Sequence, residues 1–199
     1  LIAIIDYGMG NLRSVQKALE HLGAPCKITS NLAGAEKAIL PGVGAFPAAM
    51  DRLDPLRAEI DDFVSAGRPL LGICLGQQLL FEESDEFGLR KGLGYIPGRV
   101  EYLLRRPGLK LPHMGWAPLF HVNHSHALLR NIPETAQVFF VHSLVTRAGS
   151  ADVDVLATCR YGDDEFPAAV AYKNVMATQF HPEKSGSTGL RMLRNFVEC

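Results

Sequence analysis

Residues 69–82 read Pro69-Leu70-Leu71-Gly72-Ile73-Cys74-Leu75-Gly76-Gln77-Gln78-Leu79-Leu80-Phe81-Glu82, and the reading of this stretch decides the fold. The apolar run Leu70, Leu71, Ile73 predicts a buried strand, which ends in Gly72-x-Cys74-x-Gly76 and passes at once into a helical pattern. G-x-C-x-G is the cysteine counterpart of the nucleophile elbow, a strained strand-to-helix turn known in its G-x-S-x-G form. Glycine is expected on both sides because a Cβ there would collide with neighbouring backbone. The turn projects the Cys74 sulfur outward at the positive end of the next helix, the kind of place where reactive thiols sit. Taken alone, the stretch also fits an inert cysteine in a buried strand.

Working outward, the N-terminal half repeats the same logic. Leu1–Ile5 is a continuous apolar run, which predicts a strand buried on both faces. Asp6-Tyr7-Gly8-Met9-Gly10-Asn11 is a turn, and Leu12, Val15, Ala18, Leu19 and Leu22 mark a helical face stopped by Gly23-Ala24-Pro25. Residues 26–29 and 38–40 predict two more short strands, and a long helix is expected over 47–66, closed by Gly67-Arg68-Pro69. Strand and helix alternate throughout, the signature of a doubly wound, mostly parallel α/β sheet. After residue 84, Gly, Pro and short strand-like runs take over at 98–104, 112–116, 138–145, 153–159, 168–172 and 175–180. These predict antiparallel additions to the sheet, and a last helix is expected over 188–197. No linker or repeat divides the chain, so one domain over 1–199 is expected.

Composition narrows the class. At 199 residues, with 47% hydrophobic and 21% charged residues, the chain is long enough to bury its own core. A net charge of −1 gives no broad grip on nucleic acid, and no apolar run approaches a membrane span. The start meets Asp6 too early for a signal peptide and has no basic leader; since it lacks Met, one or more residues are expected ahead of Leu1. Cys26, Cys74, Cys159 and Cys199 are scattered without a C-x-x-C pair, which fits a reduced, cytoplasmic compartment. His121, His124 and His126 have no Cys or carboxylate beside them and read as an exposed loop; no metal is expected. Gly8-x-Gly10 is half a dinucleotide fingerprint, with the third glycine absent.

Two further pieces complete a candidate site. Pro41-Gly42-Val43-Gly44-Ala45-Phe46 follows the third strand, and its glycines let backbone N–H groups turn toward a ligand. Gln179-Phe180-His181-Pro182-Glu183-Lys184 follows the last strand. In an extended segment His181 and Glu183 share a side, and Pro182 favours such a shape. Ligand sites in open α/β sheets gather at the carboxyl ends of strands, so the three pieces are expected to meet at one edge. The expected site is a Cys74–His181–Glu183 triad, with oxyanion donors from Leu75 N–H and from Val43 or Gly44.

At this point the chain resembles the class I (triad-type) glutamine amidotransferases, through Pro41-Gly42-Val43-Gly44, Gly72-Ile73-Cys74-Leu75-Gly76-Gln77-Gln78 and Phe180-His181-Pro182-Glu183. Within them, Asp6-Tyr7-Gly8-Met9-Gly10-Asn11-Leu12, Pro112-His113-Met114-Gly115-Trp116, Phe140-Val141-His142-Ser143 and His181-Pro182-Glu183-Lys184-Ser185 are similar to the glutaminase subunits of imidazole glycerol phosphate synthase. The resemblance runs end to end and implies a flavodoxin-like fold and hydrolysis of L-glutamine to glutamate and ammonia through a γ-glutamyl thioester, with no cofactor. It also implies a heterodimer with a (β/α)8-barrel cyclase, which uses the ammonia to make imidazole glycerol phosphate and aminoimidazole carboxamide ribonucleotide in histidine biosynthesis. Nucleic acid and membrane are not implied as partners.

By the same resemblance, Gly42, Gln78, His142 and Ser143 are expected at the substrate, and Asn11, Met114, Trp116 and Lys184 at or near the cyclase. Two positions depart from the pattern: Leu144 stands where the family commonly has Tyr, and Ala117 where it commonly has Asn. Both leave the triad intact and bear on how docking reaches the site. A Val43–Gly44 peptide between such neighbours could rotate, so the isolated chain is expected to have an incompletely formed oxyanion hole. Rival readings are the glutaminase of pyridoxal phosphate synthase, a stand-alone γ-glutamyl hydrolase, and a silent regulatory subunit.

Overall fold

In the computed structural model, which describes residues 1–199, β1 (Ile2–Ile5), α1 (Leu12–His21), β2 (Cys26–Thr29) and β3 (Lys37–Gly42) follow the expected alternation. Next come α2 (Phe46–Leu53), α3 (Arg57–Ser65), β4 (Leu70–Cys74) and the short α4 (Leu75–Leu79). The second half adds β5 (Phe81–Ser84), β6 (Arg90–Lys91), β7 (Ile96–Tyr102), β8 (His113–Pro118), β9 (Gln137–His142) and β10 (Leu144–Ala148). It closes with β11 (Asp154–Tyr161), β12 (Asp164–Tyr172), β13 (Val175–Thr178) and α5 (Gly186–Glu198).

The central sheet has the order β11-β12-β13-β4-β3-β1-β2. Neighbours from β13 to β2 are parallel, and β12 and β11 add on antiparallel at one edge. With β13 as the fifth strand, the parallel part has the 2-1-3-4-5 order of flavodoxin-like sheets. Alternate residues face opposite layers. Ile2 and Ile4, Ile39, and Leu71 and Ile73 pack toward Val15 and Leu19 of α1 and Leu193 and Phe196 of α5. Ala3 and Ile5, Ala38 and Leu40, and Leu70 pack toward Phe46 and Leu53 of α2 and Ile60 and Phe63 of α3. Burial on both faces is why these strands read as unbroken apolar runs. Each fully buried Leu, Ile or Phe contributes about 1.5–3 kcal/mol, enough to hold the strand ends that carry the site.

Three expectations about elements are corrected. The helix expected over 47–66 is two helices, because Pro55 has no N–H to donate and Asp54–Leu56 tightens into a 3-10 turn. The helix after Cys74 stops at Leu79, and the apolar Phe81 begins a strand instead. Nor do all the added strands join one sheet: β10-β7-β5-β6 form a second sheet, and β8 and β9 a two-stranded ribbon. The strand expected over 138–145 is therefore cut at Ser143, with β9 in the ribbon and β10 in the second sheet. No helix is long and apolar enough to cross a membrane.

Candidate active site

Cys74 ends β4 in register with Gly42, the last residue of β3. Its backbone has φ 58° and ψ −111°, a conformation that L side chains rarely adopt. Contact dictates the flanking glycines. A Cβ on Gly72 would lie 2.5 Å from Leu80 Cδ1, and one on Gly76 would lie 1.8 Å from Leu40 O. The chain therefore turns sharply, and Leu75 heads α4 with an N–H that has no intrahelical acceptor.

β13 lies beside β4, so the segment after it reaches the same edge. His181 N–H donates to Phe139 O at 2.9 Å, Ser185 Oγ–H donates to His181 O at 2.6 Å, and Phe139 N–H donates to Ser185 Oγ at 2.9 Å. These bonds fasten the His181 backbone to β9. Glu183 Oε1 accepts from His181 Nδ1 at 2.7 Å, with both side chains buried. The route to this pairing differs from the extended segment expected: Pro182–Lys184 is a 3-10 turn, and only His181 ahead of it is extended. The turn swings Glu183 back to the imidazole.

With its proton held at Nδ1, His181 has Nε2 as its free nitrogen. Nε2 is buried and makes no hydrogen bond, and the same is true of Glu183 Oε2. Burial works to lower the His181 pKa, but Cys74 and Glu183 outweigh it and raise it to about 9. The Cys74 thiol itself donates to Val141 O at 3.6 Å, and Gln179 Nε2 donates to the sulfur at 4.0 Å.

A cavity of about 330 Å³ opens over Cys74. Val43, Gly44 and Leu75 line one side, and Gln78 and the His142–Leu144 corner line another. A thiol and a helix-start N–H at the cavity, with a buried imidazole held by a carboxylate near the thiol, are the parts of a nucleophilic acyl-transfer site. The family model for class-I glutamine amidotransferases matches residues 3–199. The chain belongs to that family.

Among curated relatives, this amidotransferase is 52% identical over 203 residues to the imidazole glycerol phosphate synthase subunit HisH of Methanosarcina mazei, covering 99% of this chain and 98% of the relative. It is 51% identical over 203 residues to the protein of that name in Methanosarcina acetivorans, with the same coverage. The crystal structure of a glutamine amidotransferase superposes with a TM-score of 0.76 at 25% identity, over 99% of this chain and 97% of that one.

Two features at or beside this cavity were not picked out from the sequence. Glu86, at the end of the acidic run Glu82-Glu83-Ser84-Asp85-Glu86, is buried in the cavity wall. Its Oε2 accepts from Phe46 N–H at 2.6 Å, at the start of α2. The burial of Ser84 at the end of β5, and the Glu86 N–H donating to Ser84 Oγ at 3.2 Å, turn this one carboxylate inward. The second feature is Tyr7. Its hydroxyl donates to Pro41 O at 3.0 Å, and a Cβ on Gly10 would lie 3.0 Å from the same oxygen. The Gly8-x-Gly10 turn is therefore packed against the Pro41–Gly44 loop and braces it.

The structure places the other expected site residues as follows. Gly42 lies beneath the cavity, where a Cβ would meet Gly76 N and Tyr7 Oη at 2.8 Å. Gln78 Nε2 donates to Leu144 O at 3.2 Å and to Gln179 Oε1 at 3.1 Å. Leu144 thus contributes its carbonyl, which a change of side chain does not remove. Met114 and Trp116 stand out from β8, 64% and 56% exposed, with Ala117 buried next to them. Lys184 is exposed, and Asn11 is half-buried at the start of α1 without a side-chain capping bond. His121 faces Glu165, His124 faces Glu134, and His126 Nδ1 accepts from Leu128 N–H, so the three histidines diverge.

Proposed function

We propose that this chain is the glutaminase subunit of imidazole glycerol phosphate synthase, working in a cytoplasmic heterodimer with a (β/α)8-barrel cyclase. The observation that carries the reading is the Cys74–His181–Glu183 constellation at the carboxyl ends of β4 and β13, beside a cavity sized for an amino acid. Chains named as that subunit and about half identical to this one support the choice of partner.

In its neutral form, with the proton on Nδ1, His181 takes the Cys74 proton at Nε2, and the sulfur attacks the side-chain carboxamide carbon of L-glutamine. The oxyanion that forms faces Leu75 N–H and the Val43–Gly44 backbone; one such donor is typically worth about 3–4 kcal/mol. His181 returns the proton to the leaving nitrogen, and ammonia departs, leaving a γ-glutamyl thioester. Water then attacks with His181 as base, glutamate leaves, and the thiol is restored. Gln78, His142 and Ser143 position the substrate, and Glu86 is the carboxylate available to its α-ammonium. Met114, Trp116, Lys184 and Asn11 belong to the docking face, where exposed Trp and Met serve as anchors. Ammonia passes across that face to the cyclase.

Glutamate release from glutamine should be low for the chain alone and rise strongly with cyclase and its nucleotide ligand, with Cys74→Ala inactive throughout. Full activity alone, unchanged by the cyclase, would mean a free-standing hydrolase with a preformed oxyanion hole. Glu86→Gln should raise KM for glutamine by roughly 10- to 100-fold, the worth of a charged hydrogen bond, with kcat nearly kept. A fall confined to kcat would remove Glu86 from the α-ammonium.

A further inference from the structure

His142, in the cavity wall, is paired with a second histidine, His113, to which the reaction assigns no role. His113 Nδ1 and His142 Nε2 are 3.0 Å apart, and His142 Nδ1 lies 2.8 Å from Leu144 O. Both side chains are buried. The proton positions follow without choice. A carbonyl only accepts, so His142 must carry its proton on Nδ1. Burial pushes the pKa of His142 to about 3 and that of His113 to about 4, so both rings are neutral. A neutral ring with Nδ1–H has Nε2 as acceptor, and His113 must then donate from its own Nδ1.

The bonds continue to the nucleophile. Leu144 O also accepts from Gln78 Nε2, Gln78 Nε2 also donates to Gln179 Oε1, and Gln179 Nε2 donates to Cys74 Sγ. One line of buried polar groups thus runs from β8 through the Ser143 corner to the sulfur. The corner is where β9 leaves the ribbon for the second sheet; Leu103 N–H holds Ser143 O at 3.0 Å, and the next carbonyl, Leu144 O, meets His142 Nδ1 and Gln78 Nε2.

We propose that His113 is a positioning residue for the glutamine pocket: its Nδ1–H locks His142 in the Nδ1–H tautomer, and His142 in turn aims the Leu144 carbonyl and Gln78. Its activity readout rests on the glutaminase reading above; its tautomer readout does not. His113 is also packed between Tyr161, with ring centroids 4.1 Å apart, and Phe140 at 5.0 Å. Packing and donation are therefore separable by two variants. His113→Phe keeps an aromatic ring in the stack and removes the donor, while His113→Asn keeps an N–H near the Nδ1 position and removes the stack.

The test is made on the full chain, with glutaminase assays run in complex with the cyclase. In the wild type, long-range proton–nitrogen NMR correlations should show His142 protonated on Nδ1 and bare on Nε2 at neutral pH. His113→Phe should lose that single tautomer and raise KM for glutamine roughly tenfold, the cost of one misdirected buried hydrogen bond, with the urea midpoint little changed. His113→Asn should lower the urea midpoint yet keep the tautomer and the KM. The reverse pattern, activity lost with the stack and kept without the donor, overturns the proposal, as does a wild-type His142 protonated on Nε2. If the chain hydrolyses no glutamine under any condition, the glutaminase reading fails and the tautomer result alone decides this one.

Discussion

Cys74→Gly should be more stable than Cys74→Ala by about 1–2 kcal/mol, while both variants lose glutamine hydrolysis by at least about 10⁴-fold. The usual order is the opposite, because glycine in regular structure costs roughly 0.5–1 kcal/mol more backbone entropy than alanine. At residue 74 the φ of 58° with ψ −111° reverses it. Any residue with a Cβ held there stores strain of order 1–3 kcal/mol, which glycine does not feel. Neither neighbour can relax the turn, since Gly72 and Gly76 are already hemmed in by Leu80 and Leu40. Both substitutions remove the same sulfur contacts, so comparing them isolates the strain. Urea midpoints for the two variants settle the order. If alanine proves the more stable, the elbow is not where the fold stores strain, and the sulfur's exposure to substrate needs another cause.

The strain also explains what was legible in the sequence. An elbow must have glycines at fixed offsets from the nucleophile, so Gly72-x-Cys74-x-Gly76 could be read from one line of text. The parallel strands were legible for a related reason: buried on both faces, they have no polar alternation to blur them. His181 and Glu183 were found together because two residues apart on a short segment leaves few ways to miss one another, although a 3-10 turn does the work expected of a strand. What stayed hidden depends on contacts distant in sequence. The apolar run through Phe140 and Val145 gives no sign that the chain changes sheets at Ser143, because each half is buried by a different partner. That change makes the cavity wall. Glu86 was hidden likewise, since an acidic run looks solvated until the hydrogen bond to Phe46 N–H is seen.

Glu183→Gln should lower kcat by roughly 10²- to 10⁴-fold with KM nearly unchanged, because Glu183 does not line the cavity and acts only through His181. The glutamine side chain keeps an oxygen for His181 Nδ1–H but brings no charge, and its amide would replace Oε2, which has no partner in its buried site. A pH signature accompanies the rate. Burial tends to lower the His181 pKa, and Cys74 and Glu183 together raise it to about 9. A histidine in the unfolded chain titrates near 6.5, so the folded wild type holds an extra proton between about 6.5 and 9. That contribution to stability is complete below about 6.5 and is lost as pH rises toward 9, with a slope of up to about 1.4 kcal/mol per pH unit. In Glu183→Gln burial has less opposing it, and this alkaline decline should shrink or vanish. The acid side gives an internal control of opposite sign. His142 and His113, lowered by burial to about 3 and about 4, are neutral in the fold and take up protons on unfolding. They make stability fall as pH drops below about 6.5 in both chains alike. Urea titrations at several pH values should therefore superimpose on the acid limb and diverge on the alkaline one. An unchanged alkaline limb, or a rate loss carried by KM, would show that Glu183 does not hold the imidazole.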